Sequence, residues 1–216
     1  METLIIALPV LIFSVVVHEY AHGWVALQQG DHTAQMLGRL TLNPVPHIDP
    51  VGSLLVPALL VLMPGNAILG WAKPVPVNPR NFREYKKGDI LVSLAGVAAN
   101  ALLVIACIFL LAAAIWLTRL VPGPEMVWTV IREMAMFGIW INVILIVFNL
   151  LPIPPLDGSH IVYHLLPPEL AVRYRAIGQY GILILLVLLF MGGFRFLLAP
   201  VVVLVGIAQA AVGLLI

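Results

Sequence analysis

The chain has 216 residues, 62% of them hydrophobic and 10% charged, with a mean hydropathy of +1.09. A soluble domain is nearer half apolar and a quarter charged, so a water-soluble globule is excluded; several apolar stretches of about 20 residues make this a multi-pass helical membrane protein. The formal net charge of +1 gives no basic field for nucleic acid. With Cys107 as the single cysteine, an intrachain disulfide and a four-cysteine metal site are excluded as well, and any metal must use His, Asp or Glu.

The first apolar segment, Leu4 to Leu27, has no basic residue ahead of it and no small-residue cleavage site behind it, so it is expected to stay as a helix. Its second half carries His18, Glu19 and His22. From Gln28 to Pro50 polar residues mix with an alternating piece, Leu37 to Leu42, which predicts an edge strand or hairpin at the membrane surface. Prolines 44, 46 and 50 exclude a long helix there. Val51 to Gly70 is apolar but broken by Pro57 and Pro64-Gly65, the pattern of a re-entrant element. Trp71 to Asp89 holds Lys73, Arg80, Arg83, Lys86 and Lys87 and is cytoplasmic by the positive-inside rule.

The remaining spans are then Ile90 to Leu117, Met134 to Leu151, Gln179 to Met191 and Phe196 to Ile216. This topology puts eight of the 11 basic residues on the cytoplasmic side and Arg119, Arg132 and Arg195 outside. Gln179 to Met191 is its weakest member, since 13 residues make roughly 20 Å of helix against about 30 Å of hydrocarbon. The expected fold is an all-α integral membrane protein, one domain over residues 1–216, with about five transmembrane helices and a re-entrant or membrane-surface β element between the first and second core helices.

His18-Glu19-Tyr20-Ala21-His22 is an HExxH sequence. Histidines four apart on a helix face one way and can hold one metal ion, and the glutamate between them can act as a base. About 24 Å of helix separates Glu2 from His18, which places the motif inside the hydrocarbon near the cytoplasmic side. Burying these groups costs several kcal/mol unless a cation compensates. The bland alternative is a pair of histidines bonded to neighbouring helices beside a glutamate in a transporter cavity.

A catalytic zinc usually has three protein ligands, and a carboxylate is the natural third. Of the four aspartates, at 31, 49, 89 and 157, Asp157 follows the Met134 to Leu151 span, which the topology ends at the level of His18 and His22. Prolines 152, 154 and 155 unwind the backbone before it, which a membrane tolerates where the chain is buried in protein or lines a cavity. Its bland alternative is a helix N-cap.

With HEYAH at 18 to 22, NLLPIPPLDG from Asn149 to Gly158, GRLTLNP from Gly38 and WAKPVPVNPRNF from Trp71, the chain resembles the site-2 protease family of intramembrane zinc metalloproteases. Within it, the small prokaryotic members without PDZ or CBS domains are the nearest in form, and the likeness covers nearly the whole chain. The resemblance implies one zinc ion per chain on His18, His22 and Asp157, Glu19 as general base, and Asn149 as an aid to the oxyanion. It also marks Asn100: the family often has Gly-Pro-x-x-Asn where this chain has Gly96-Val97-Ala98-Ala99-Asn100, so a helix break there is open to question.

His160, three residues after Asp157, can be a partner behind the ligand or an extra ligand, and reads best as the former or as plain packing. His32, His47 and His164 are expected to be solvated, Asn142 to bond between helices, and Cys107 to pack in the core. The expected activity is zinc-dependent hydrolysis of peptide bonds within or near the transmembrane segments of partner proteins, in the cell membrane and near its cytoplasmic side. Such a substrate must be unwound, and Leu37 to Leu42 with the broken segment from Val51 can hold it extended by strand addition. The rival reading is a metal-ion or proton transporter built on the same His/Glu/Asp cluster.

Overall fold

The computed structural model describes residues 2–55, 72–120 and 125–216. Its long elements are helices because lipid offers no partner to a free N–H or C=O, and a helix satisfies both within itself. Helix α1 spans Glu2–Gln28 and is followed by the single turn α2, Thr33–Met36. Short turns at Val45–His47, Pro50–Leu55 and Pro79–Asn81 lie around a non-helical stretch, residues 72–78. Helix α3 spans Tyr85–Leu120; its 36 residues extend about 54 Å, well beyond the hydrocarbon thickness. Helices α4 (Glu125–Asn149), α5 (Gly158–Leu165), α6 (Pro168–Ala176), α7 (Gly181–Phe190) and α8 (Phe194–Leu215) complete the described chain.

Among the described residues four segments are long and apolar enough to cross a membrane, Ile6–Gln28, Tyr85–Leu120, Glu125–Asn149 and Leu198–Leu215. Of the expected span Gln179 to Met191, α7 holds 10 residues, which cover about 15 Å, half a bilayer core. A 3-10 turn at Ile177–Tyr180 precedes it, and behind it Gly192 takes φ +74° while the Gly193 N–H closes on the Leu188 carbonyl at 2.8 Å. Such a left-handed glycine ends a helix.

No strand forms among the described residues, so Leu37 to Leu42 is not the expected β element. Gly38, at φ +65°, lets the chain turn, and the Arg39 N–H returns to the Ala34 carbonyl at 2.8 Å. The alternation there is a turn followed by bends. Of the expected re-entrant element, residues 51–55 belong to the turn at Pro50–Leu55, and the rest lies outside the described residues.

Helices α1, α3 and α4 pack against one another, and α8 packs on α3 and α4. That second contact buries Leu111, Ile139, Val143, Val201 and Val205. Gly138 allows α3 and α4 to approach: a Cβ there would stand 2.5 Å from Cys107 Sγ, which places Cys107 in packing, as expected. Asp157 and the end of α1 meet beside one face of α3.

Candidate metal centre

His18 and His22 sit one turn apart on α1 with their Nε2 atoms 3.0 Å from each other. The loop after α4, with its cis Pro154-Pro155 peptide, delivers Asp157 so that Oδ2 stands 3.4 Å from both nitrogens. These three side chains form the one His/Cys/Asp/Glu group among the described residues with metal-binding spacing. Asp157 occupies the N-cap position of α5 but makes no capping hydrogen bond with its side chain, which removes the bland reading of it.

The hydrogen bonds behind the histidines fix their tautomers. His22 Nδ1 lies 2.7 Å from the Val92 carbonyl, which can only accept, so Nδ1 carries the hydrogen and, in the neutral ring that a metal ligand must be, Nε2 a lone pair. His18 Nδ1 faces the Asn100 side-chain oxygen at 2.5 Å. That amide is oriented from further away: Asn142 Nδ2 donates to the Gly138 carbonyl at 2.8 Å and to Ser14 Oγ at 3.0 Å, which turns Asn142 Oδ1 toward Asn100 Nδ2 at 2.7 Å. His18 is therefore also protonated on Nδ1. Two lone pairs and a carboxylate oxygen converge, and Asp157 Oδ2 is buried without a hydrogen-bond partner.

Three acceptors facing one another call for a cation. Tetrahedral zinc, with bonds of about 2.0–2.1 Å, spaces its ligands roughly 3.3–3.4 Å apart, and the observed separations are 3.0, 3.4 and 3.4 Å. The residues fit zinc.

Gly96 opens the space for this group. A Cβ there would fall on the His18 imidazole and 2.6 Å from His22 Nε2. Asp89, Val92, Gly96 and Asn100 recur at helical spacing on α3, so one stripe carries the support for both ligating histidines. Helix α3 runs unbroken through 96–100; with Val97 in place of proline every backbone bond is kept.

Glu19 Oε2 accepts the Val75 N–H at 2.8 Å. Prolines 74 and 76 have no N–H, so Val75 supplies the main-chain donor between them. The segment is held on both sides of that contact: the Lys73 N–H donates to the His47 carbonyl at 2.9 Å, Arg39 Nη2 donates to the carbonyls of Lys73 at 3.0 Å and Pro74 at 3.2 Å, and the Asn78 N–H donates to Asp31 Oδ2 at 2.7 Å. The non-helical backbone beside Glu19 is therefore 72–78.

Residues 117–192 match Peptidase family M50. The protein named "Putative zinc metalloprotease YwhC" from Bacillus subtilis is 41% identical over 181 residues, 82% of this chain and 77% of that one. Two proteins named "Putative zinc metalloprotease Rip2" are also similar. The one from Mycolicibacterium smegmatis is 36% identical over 179 residues, 82% of this chain and 64% of its own length. The one from Mycobacterium tuberculosis is 33% identical over 177 residues, 81% of this chain and 62% of its own. The chain belongs to peptidase family M50, the site-2 proteases. It thus spans about three quarters of the first relative and just under two thirds of the other two. No solved structure matches it. Membership makes this chain a site-2 protease-like zinc metalloendopeptidase of multi-pass membrane form, and disfavours the transporter reading.

Two further expected site residues of this M50 chain have other partners. Asn149 ends α4, with its side-chain amide donating to the Leu145 carbonyl at 2.9 Å, one turn back along its own helix. His160 turns to Asp89, with Nδ1 3.2 Å from both carboxylate oxygens, while its backbone N–H donates to the Asp157 carbonyl at 3.0 Å.

His164 is not solvated: its side chain is 6% exposed and its Nε2 lies 2.7 Å from Asp89 Oδ2. His47 is buried as well, with Nε2 3.0 Å from the Thr41 carbonyl. Each of these rings is drawn inward by an acceptor distant enough in sequence or folded tightly enough that no local pattern announces it. His32 is exposed, as expected, and Asn142 does bond between helices. Sequence reasoning gave no role to Asp89, Gly96 or Val75; Gly96 and Val75 lie inside the quoted motifs, and Asp89 is visible as an aspartate at the head of an apolar span.

Proposed function

We propose that this protein is an intramembrane endopeptidase that cuts within or near transmembrane segments of partner proteins, with one zinc ion held by His18, His22 and Asp157. The observation that carries the reading is the convergence of two imidazole lone pairs and an unpartnered carboxylate oxygen at 3.0–3.4 Å. Zinc, when bound, supplies Lewis acidity that makes water nucleophilic near neutral pH and polarises a peptide carbonyl. Glu19 takes the proton from the attacking water and returns it to the leaving amine. Asn149 donates to the oxyanion, with the amide hydrogen that is not given to the Leu145 carbonyl.

The cell membrane is the proposed location, with the site near the cytoplasmic face. Support for that side is the charge pattern, with Lys73, Arg80, Arg83, Lys86 and Lys87 between the end of α1 that holds the motif and the apolar body of α3. A substrate helix reaches Glu19 only after unwinding, because its carbonyls are otherwise bonded within the helix.

The test is metal content by mass spectrometry on detergent-purified wild type and Asp157→Ala. One tightly bound zinc per chain, lost or much weakened in the variant, supports the three-ligand centre. A wild type without tight metal, or a variant equal to it, overturns the reading.

A further inference from the structure

Asp157 has no local device to aim it. Its Oδ2 has no hydrogen-bond partner and its side chain does not cap α5, so its placement must come from the helix it precedes. On one side that helix is stopped by backbone: a Cβ on Gly158 would stand 2.8 Å from the Leu151 carbonyl oxygen. On the other side lies α3, and there the contact is a pair of hydrogen bonds to a buried carboxylate. Asp89, 3% exposed, faces His160 Nδ1 at 3.2 Å and His164 Nε2 at 2.7 Å. A carboxylate only accepts, so both imidazoles donate to it. They lie four residues apart on one face of α5, and His160 is one turn beyond Asp157.

We propose that Asp89 is a positioning residue for the metal centre: by clamping His160 and His164 it fixes α5 on α3 and thereby sets Asp157 opposite His18 and His22. Asp89 lies three residues before Val92, whose carbonyl orients His22, and 11 before Asn100, which orients His18. All three ligands are thus referred to one stripe of α3, two directly and the third through Asp89. A plain packing role is satisfied by any well-fitting side chain. A buried carboxylate, which costs several kcal/mol unless fully bonded, is justified where a fixed direction is needed.

The inference rests on Asp157 being the third ligand, so the experiment separates the two ideas. Zinc affinity is measured by competition with a chromophoric chelator, without any proteolysis assay, for wild type, Asp89→Ala, Asp157→Ala and the double variant. Asp89→Ala is expected to weaken zinc about ten- to hundredfold in the wild-type background, the usual effect of removing a group behind a ligand. In the Asp157→Ala background it should change affinity by less than about twofold, since a residue acting through Asp157 has nothing left to act on.

An unchanged affinity, or equal weakening in both backgrounds, overturns the positioning role and leaves the zinc centre standing. Wild-type affinity in Asp157→Ala overturns the centre itself, and the positioning role with it. Should Asp89→Ala fail to fold, His164→Ala and His164→Gln decide in the same two backgrounds. Glutamine places a donor where His164 Nε2 lies, so His164→Gln should stay within about threefold of wild type while His164→Ala falls about tenfold. Equal loss in both overturns the proposal.

Discussion

Asn100 receives the Nδ1 hydrogen of His18 at 2.5 Å only because Asn142, bonded to the Gly138 carbonyl, holds the Asn100 amide in one orientation. A main-chain carbonyl on α4 thus decides which nitrogen of a ligand on α1 is free. Replacing Asn142 with leucine removes the donor to Ser14 and the acceptor for Asn100, leaving buried groups unpaired at a cost of about 1–3 kcal/mol. Asn142→Leu should melt lower and bind zinc about tenfold more weakly, with Asn100→Leu weaker still. Thermal melts and chelator competition check both, and wild-type affinity in Asn142→Leu would contradict the relay.

Gly96→Ala sets two local effects against each other. Alanine favours the helix by about 1 kcal/mol, but the added methyl falls on the His18 ring, and overpacking costs about 1–3 kcal/mol. Stability should therefore change little while zinc affinity drops at least about tenfold, because the strain is delivered to a ligand. Gly206 on α8 has open space around its Cβ position, so Gly206→Ala should raise stability slightly and leave zinc binding unchanged. A Gly96→Ala protein with full zinc affinity would show that α1 and α3 can part without cost.

HExxH and Asp157 were legible because each sits in an unusual local pattern, a charged pair inside an apolar helix and an aspartate after clustered prolines. What surrounds them was not. Asp89 and His164 are 75 residues apart, and Glu19 and Val75 are 56 apart; such pairings exist only once helices cross, and nothing in either local sequence reports them. Gly96 was visible as part of a motif, but its reason, the imidazoles against its missing Cβ, is again tertiary. The long helical spans follow from hydropathy, while α7 is shorter than the apolar run that contains it, because such a run says nothing of the turns that bound it.

Glu19→Gln keeps an acceptor for the Val75 N–H and leaves His18, His22 and Asp157 untouched. Its fold and zinc content should match wild type, while cleavage of a transmembrane reporter substrate falls at least about a hundredfold, the range for losing a general base. Full cleavage by this variant would contradict the assigned role of Glu19. Loss of zinc would mean instead that the carboxylate belongs to the metal centre.

Asp31 ties the end of α1 to the segment that reaches Glu19. It is 1% exposed and accepts from the Thr33 N–H at 3.1 Å, Thr33 Oγ1 at 2.5 Å, the Asn78 N–H at 2.7 Å and Asn81 Nδ2 at 2.7 Å. Burial pushes its carboxyl up, but the hydroxyl and amide donors outweigh that and hold it below the usual carboxylate range. A folded-state value below the unfolded one, about 3.9, gives stability that is present above about pH 4 and lost as pH falls through the folded value. Asp31→Asn turns an amide NH2 toward the donors that the carboxylate accepts from, the Asn78 N–H on one side or the Thr33 N–H and Asn81 amide on the other, and should cost about 1.5–3 kcal/mol at pH 7. The gap between wild-type and variant melting temperatures in detergent should therefore be constant from pH 7 to about pH 5 and narrow below about pH 4, whatever the other carboxylates do to both proteins. Parallel curves down to the lowest pH at which both remain folded would mean that Asp31 is not held as a charged acceptor.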